Sequence, residues 1–132
     1  MIFVDTNVFM YAVGRPHPLQ EQAREFFARS LESRTRLCTS SEVLQEFMHA
    51  YIPVGRLRAL DTAFSLVIRS GVEVWPLEYE DILLARQITE QYPALEARDL
   101  CHLASCRRRG VNVVMTFDRA LRAVTQRPGA SL

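Results

Sequence analysis

Short apolar segments alternate with helical patterns along this chain, and that alternation limits the folds open to it. The apolar segments are predicted strands at residues 2–5, 37–39, 73–77 and 112–117. Apolar residues at helical spacing fill much of the sequence between them, and two of the predicted helices stop at Gly71 and Gly110. Strands that alternate with helices indicate a parallel sheet covered on both faces. We therefore expect a three-layer α/β/α fold with a mainly parallel sheet of four or five strands.

Length and composition favour one domain inside the cell. The chain has 132 residues, which suits a single domain, residues 1–132, with a sizeable core. Hydrophobic residues make up 48% of it, yet no apolar run approaches the length of a membrane span. The first predicted strand begins at residue 2 with no signal-peptide pattern before it, so we expect a cytoplasmic protein without membrane contact. The tail after Thr125 is predicted to be irregular or to add a short edge strand.

Charged residues and cysteines exclude several classes of function. All sixteen basic residues are arginine, and the absence of lysine argues against a P-loop and against aspartyl-phosphate sites that use a late lysine. Biased genome composition is the simplest explanation for the absence of lysine. Arginine is also better than lysine at binding two phosphate oxygens at once. The run at 107–109 closes a predicted helix and is interpreted as a solvent-exposed face. Three cysteines, an odd number, are interpreted as buried thiols rather than as disulfides or zinc ligands.

Three aspartates are predicted to meet at one rim of the sheet. Asp5 ends the first predicted strand, and Asp118 follows the last one. Asp99 opens the predicted helix that leads into the last strand, where a helix cap is its alternative role. In open parallel sheets, ligands bind beyond the carboxyl ends of the strands. The rim that carries these acids is therefore the candidate site.

Glu46 is the fourth acid predicted at this rim. Thr39 and Glu42, three residues apart at a helix start, fit a capping box and give Glu42 a structural role. Glu46 lies nearer the apolar face of the same predicted helix, and helical side chains lean toward the amino end. Glu46 is therefore expected to reach back to the rim, with a solvated helix acid as the alternative.

Four carboxylates at one rim predict a divalent cation. Ionised carboxylates that lie together repel and raise each other's pKa, and a cation in their midst relieves the repulsion. An all-oxygen ligand set without matching histidine or cysteine suits Mg²⁺ or Mn²⁺ rather than zinc. Such an ion can activate water and offset charge on a phosphoryl group. The pattern therefore predicts metal-assisted hydrolysis of phosphodiesters.

Polar residues beside these acids are candidates for supporting roles. Asn7 and Thr116 each lie two residues from an acid and are predicted to orient a carboxylate or a bound water, with a helix-start amide and a strand hydroxyl as open alternatives. Arg119 and Arg122 follow the last acid and are the best-placed candidates to bind substrate phosphate. His102 is expected to pair with the acid one turn before it.

Ordered motifs in this chain resemble those of the PIN domain, and most closely those of the ribonuclease toxins in bacterial VapBC toxin–antitoxin pairs. The matching segments are residues 3–7, 41–47, 98–100 with Ala104, and 116–118. The acidic positions of the family fall on Asp5, Glu46, Asp99 and Asp118. The resemblance implies a parallel α/β/α fold, Mg²⁺ or Mn²⁺ as cofactor, cleavage of RNA, a homodimer and a neutralising antitoxin partner.

Three alternatives to a toxin remain at this stage. A haloacid-dehalogenase-type phosphotransferase also begins with an acid at a strand end, but it needs a second aspartate where this chain has Asn7. A PIN nuclease that is not a toxin would share every motif. A non-catalytic module on the same fold would bind RNA or protein and would have no need of four acids at the rim.

Overall fold

The computed structural model describes residues 1–125, which contain four strands and seven α-helices. In chain order these are β1 (Ile2–Val4), α1 (Thr6–Val13), α2 (Gln20–Glu32), β2 (Leu37–Ser40), α3 (Ser41–Tyr51), α4 (Leu57–Arg69), β3 (Glu73–Trp75), α5 (Tyr79–Ile88), α6 (Ala97–Arg108), β4 (Val113–Met115) and α7 (Arg119–Thr125), with a 3₁₀ turn at Thr89–Gln91 after α5. The tail after Thr125, predicted as irregular or as an edge strand, lies outside the described residues. No helix in residues 1–125 is long and apolar enough to cross a membrane.

The four strands form one parallel sheet in the order β3-β2-β1-β4. The chain moves from β1 to β2 to β3 in one direction and then crosses back to β4 at the opposite edge. Because parallel crossovers are right-handed, this reversal places α1–α4 on one face and α5 and α6 on the other. The contacts agree, since α1 packs on α2, α3 and α4, whereas α5 packs on α6. The predicted three-layer α/β/α fold is confirmed.

Aromatic side chains pack against both faces of β1. On the α1–α4 side, the rings of Phe9 and Phe47 meet edge to face with centroids 5.5 Å apart. Beneath α6, the Phe3 ring contacts the rings of His102 at 5.0 Å and Trp75 at 6.0 Å. All five side chains are buried, so the strand that ends at Asp5 lies in the centre of the core. The three cysteines are also buried and free.

The predicted capping box at the start of α3 is wrong. Strand β2 continues one residue further than predicted, so Thr39 lies within the strand. Its Oγ1 donates to the carbonyl of Val4 in the neighbouring strand at 2.8 Å. Ser40 is the N-cap, and its hydroxyl accepts from the backbone N–H of Val43 at 3.3 Å. Glu42 therefore takes no part in the cap.

The arginines at 107–109 are not a freely solvated face. Arg108 and Arg109 each donate to Oδ1 of Asp81, at 2.7 and 3.1 Å, and Asp81 has no exposed surface. Arg107 donates to the hydroxyl of Tyr92 at 3.2 Å. Because α6 packs along α5, the last turn of α6 faces the acidic first turn of α5. These ion pairs hold the two helices together at the end of α6 far from Asp99.

Candidate active site

Asp5 lies where β1 ends and α1 begins, and both of its carboxylate oxygens are engaged. Oδ1 accepts from the backbone N–H of Thr6 at 2.8 Å, which makes Asp5 the N-cap of α1. Oδ2 accepts from the hydroxyl of Thr116 at 2.6 Å. Val4 is paired with Met115 across the sheet, so the residues that follow them are neighbours. The parallel register of β1 and β4 thus builds this contact.

Thr116 and Asn7 fix the loop that carries Asp118. The hydroxyl of Thr116 donates to Asp5 and accepts from the backbone N–H of Asp118 at 3.0 Å, so one oxygen links two of the predicted site acids. The side-chain oxygen of Asn7 accepts from the backbone N–H of Phe117 at 3.3 Å. Thr116 therefore contacts an acid directly, whereas Asn7 contacts the backbone beside one, and the supporting role predicted for both stays a prediction.

Asp118 is oriented by the helix that follows it. Its Oδ1 accepts from the backbone N–H of Leu121 at 2.9 Å, as a capping carboxylate does at the start of α7. Arg119 and Arg122, the predicted phosphate ligands, are exposed on α7, and neither lines the cleft described below. Their predicted role stays a prediction.

Asp99 lies in the first turn of α6, half-buried and close to two other acids. Burial, followed by the charges of Asp5 and Asp118, raises its pKa to about 6. The cap position of α6 belongs to Glu96, so the alternative role of Asp99 as N-cap does not hold. A carboxylate whose ionisation is opposed by two neighbouring carboxylates is the electrostatic mark of a cation site.

Glu46 reaches the same rim from α3, and both of its oxygens have partners. Oε2 accepts from the hydroxyl of Thr6 at 2.6 Å. Oε1 accepts from Nη1 of Arg98, the residue before Asp99. Arg98 was not among the site residues predicted from the sequence. The position of Arg98 in the first turn of a helix could have indicated such a contact. The helix dipole disfavours a basic side chain there, so the side chain needs a partner elsewhere.

These acids line one open cleft of about 460 Å³. Its lining residues are Asp5, Thr6, Asn7, Met10, Tyr11, Glu46, Ala94, Glu96, Arg98, Asp99, Asp118 and Ala120. Arg98 is the one basic side chain among them, within the part of the chain that the structure describes. The structure therefore brings all four sequence-predicted acids, together with Asn7, to one concave surface.

The oxygen ligands of this cleft suit a hard divalent ion. Within residues 1–125, no three His, Cys, Asp or Glu side chains are grouped closely enough to form a metal site as they stand. The chemistry of the donors nevertheless fits Mg²⁺ or Mn²⁺, since the cleft offers carboxylates and neither imidazole nor thiolate lines it.

Two buried polar atoms near the site were not predicted. His102, expected beside Asp99, instead lies with its Nε2 3.8 Å from Oδ1 of Asp5, because its side chain points under β1. Burial lowers the pKa of His102 more than the nearby carboxylates raise it, so the imidazole is neutral at neutral pH. Nε2 of His102 and Oε2 of Glu42 have no hydrogen-bond partner within the described residues. Helix periodicity alone could not reveal either orientation.

Comparison with known proteins identifies the family. The PIN domain profile matches residues 2–126. Ribonuclease VapC23 of Mycobacterium tuberculosis is 57% identical over 121 residues, which cover 92% of this chain and 95% of that protein. Ribonuclease VapC13 of the same organism is 39% identical over 119 residues, covering 90% of this chain and 91% of that one.

Solved structures show the same fold at low sequence identity. The crystal structure of Mycobacterium tuberculosis VapC20, described as a sarcin-ricin loop cleaving toxin, superposes with a TM-score of 0.79 at 22% identity, covering 97% of this chain and all of that one. A toxin–antitoxin complex from Klebsiella pneumoniae gives a TM-score of 0.66 at 16% identity, with coverage of 93% and 91%. Profile, relatives and fold agree over nearly the whole chain: it belongs to the PIN domain family and, within it, to the VapC ribonucleases.

Proposed function

We propose that this protein hydrolyses RNA phosphodiesters with Mg²⁺ or Mn²⁺ held by Asp5, Glu46, Asp99 and Asp118. As a VapC-type protein it is an endoribonuclease of the toxin class. The observation that supports the metal requirement is the cleft itself, whose lining, in the described part of the chain, contains all four acids and neither histidine nor cysteine. Burial and two of the other acids also raise the pKa of Asp99. A bound divalent ion supplies an activated water and offsets charge on the phosphoryl group.

The chain's own side chains position the four acids for this reaction. The hydroxyl of Thr116 orients Asp5 and, through the backbone, Asp118. The amino end of α7 orients Asp118 from the other side. Neutral His102 adds no charge behind Asp5 and leaves that carboxylate available to a cation. The hydroxyl of Thr6 aims Glu46 across the cleft.

The proposed substrate is RNA with unstacked bases, and the proposed partner is an antitoxin protein. RNA sequence is mostly read in loops, bulges and ends, where bases leave the helical stack, and an open cleft accepts such a strand. An acidic rim repels phosphate and attracts positive charge. An antitoxin can therefore inhibit the enzyme by placing a basic side chain among the acids. We extend the proposal to a homodimer in the cytoplasm, as the family resemblance implies.

Cleavage assays with purified protein test this proposal. Single-stranded and loop-containing RNA should be cut with Mn²⁺ or Mg²⁺, and cutting should stop when EDTA removes the ion. Asp5→Asn and Asp118→Asn should each abolish cleavage, because they keep shape and remove a ligand charge. Undiminished activity after exhaustive chelation would disprove the metal requirement. A protein that binds Mn²⁺ and RNA but cuts nothing would instead be the non-catalytic module.

A further inference from the structure

Arg98 carries the positive charge in a cleft whose other charged lining residues are aspartates and glutamates. Its guanidinium donates to Oε1 of Glu46, and 45% of its side chain is exposed to solvent. Its neighbours in the cleft lining include Asp99 and Glu96. A charge-assisted hydrogen bond of this kind is about twice as strong as a neutral one. Arg98 is therefore the cation that pairs with Glu46 when no metal ion is bound.

The Arg98 guanidinium and a divalent ion compete for the same carboxylate. Oε2 of Glu46 accepts from Thr6, and Oε1 accepts from Arg98. A divalent ion bound by Glu46 would add two positive charges beside the guanidinium, and the repulsion between the two cations favours displacement of the guanidinium. Metal binding to this chain consequently includes the cost of breaking an ion pair that is only partly screened by solvent.

Displacement leaves the guanidinium at the wall of the cleft where the RNA must pass. Its five N–H donors form a fork that matches phosphate oxygens. Within the described residues, Arg98 is the one basic side chain in the lining of the cleft. When the ion is bound, Arg98 has lost its contact with Glu46 and lies in the same cleft. It can therefore bind a backbone phosphate of the RNA there.

We propose that Arg98 exchanges Glu46 for an RNA phosphate when the divalent ion binds, so that ion and RNA bind with positive coupling. The inference rests on the proposed function, since it assigns Glu46 to the ion. Each ligand removes a competitor of the other: the ion frees Arg98 for phosphate, and phosphate keeps Arg98 away from Glu46. Such coupling is reciprocal by thermodynamic necessity.

Binding measurements on the full-length protein test the exchange. Mn²⁺ affinity is measured by electron paramagnetic resonance of the free ion, with and without a single-stranded 2′-O-methyl RNA oligonucleotide whose integrity is checked on a gel. The variants are Arg98→Met, which removes the charge, and Arg98→Lys, which keeps the charge but loses the fork. The matched control is Arg86→Met, which breaks the exposed Arg86–Glu90 pair on α5, outside the cleft.

In the wild type and Arg86→Met, the oligonucleotide should tighten Mn²⁺ binding by about fivefold or more, at the lower end of ordinary coupling. Arg98→Met should bind Mn²⁺ alone severalfold more tightly than the wild type, bind the oligonucleotide more weakly, and show clearly less coupling, because only neutralisation of the acids then links the two ligands. Arg98→Lys should fall between the two. Equal or weaker Mn²⁺ binding by Arg98→Met, or coupling as strong as in the wild type, would overturn the exchange and leave the metal chemistry intact. A wild type that binds no Mn²⁺ would overturn both.

Discussion

At the scale of single residues, the two glutamates of α3 have opposite expected roles. Glu46→Gln should abolish RNA cleavage, because it removes a ligand charge from the cleft. It should change stability little, since the partly exposed pair with Arg98 contributes about 1 kcal/mol. Glu42→Gln should keep full activity and lose no cap stability, because Ser40 and not Glu42 caps the helix. Cleavage rates and thermal melts of both variants measure this, and the reverse pattern would contradict the assignment.

Asp99 makes the stability of the metal-free protein depend on pH. Its folded-state pKa of about 6 lies above the ordinary 3.8, so the folded state prefers the protonated acid. The contribution of Asp99 to stability is therefore most favourable below the ordinary value, falls as pH rises through the interval up to about 6, and is constant above it. Asp99→Asn removes that loss. In EDTA at neutral pH it should stabilise the protein by about 1–2 kcal/mol, after allowance for solvent screening, which is a few degrees in Tm.

Thermal melts across this pH range, with Asp61→Asn as control, measure the effect. Asp61 is an exposed acid on α4 outside the cleft, so its variant should follow the wild type at every pH. Added Mn²⁺ should reverse the order of stability, because an ion that binds only the folded wild type stabilises it. A gain for Asp99→Asn that is equally large below pH 4 would contradict the electrostatic origin.

At the scale of secondary-structure elements, Asp81 joins α5 to α6. It accepts from the backbone N–H of Glu78 at 2.9 Å and from the guanidinium groups of Arg108 and Arg109. Burial pushes its pKa up, but these hydrogen bonds outweigh burial and hold the pKa below its ordinary value. Asp81 thus stabilises the fold above pH 3.8 and ceases to do so as the pH falls through its lowered pKa.

Asp81→Asn should destabilise the protein by about 3 kcal/mol, because two guanidinium groups lose their buried partner. Glu80→Gln is the matched control, since Glu80 is exposed in the same first turn and should change stability little. Urea unfolding at neutral pH measures both. The variant should approach the wild type in stability at acid pH, and a loss that is independent of pH would contradict the ion-pair origin.

Strands and long helices could be predicted from the sequence because each has a strong local signal. The parallel sheet followed from apolar runs between helical patterns. Helix α1 was not predicted because every residue at 8–13 is apolar, so no polar face marks a helical period in the sequence. Helix α7, with seven residues, is too short to show one.

The acids of the cleft could be predicted, whereas their partners could not. Strand ends give the positions of Asp5 and Asp118, and their order along the chain is a motif. The contact of Arg98 with Glu46 depends on how α6 faces α3, and helix packing of this kind leaves no local pattern. The hydroxyl run at residues 39–41 shows the same limit, since any of the three could cap α3 and the strand length decides which one does.

At the scale of the whole molecule, the expected phenotype is growth arrest. Expression of the wild type in a bacterial host should stop growth, and sequencing of total RNA should show new 5′ ends at exposed loops. Asp5→Asn, expressed from the same promoter to the same soluble level, should do neither, and co-expression of a cognate antitoxin should protect the host. Equal growth of both strains without new ends in the wild type would leave a PIN-domain nuclease and remove the toxin role.

The strand order β3-β2-β1-β4 also determines when, during its own synthesis, this protein can become an active nuclease. Strand β1 leaves the ribosome first, yet its neighbour β4 comes last, and Thr116 is made 111 residues after the Asp5 that it orients. Domains fold as the chain emerges, but here the rim that carries the four acids cannot form until β4 is free of the ribosome. We therefore expect the nascent chain to be inactive against the message that encodes it for most of translation. A product truncated before β4 should be inactive for the same reason.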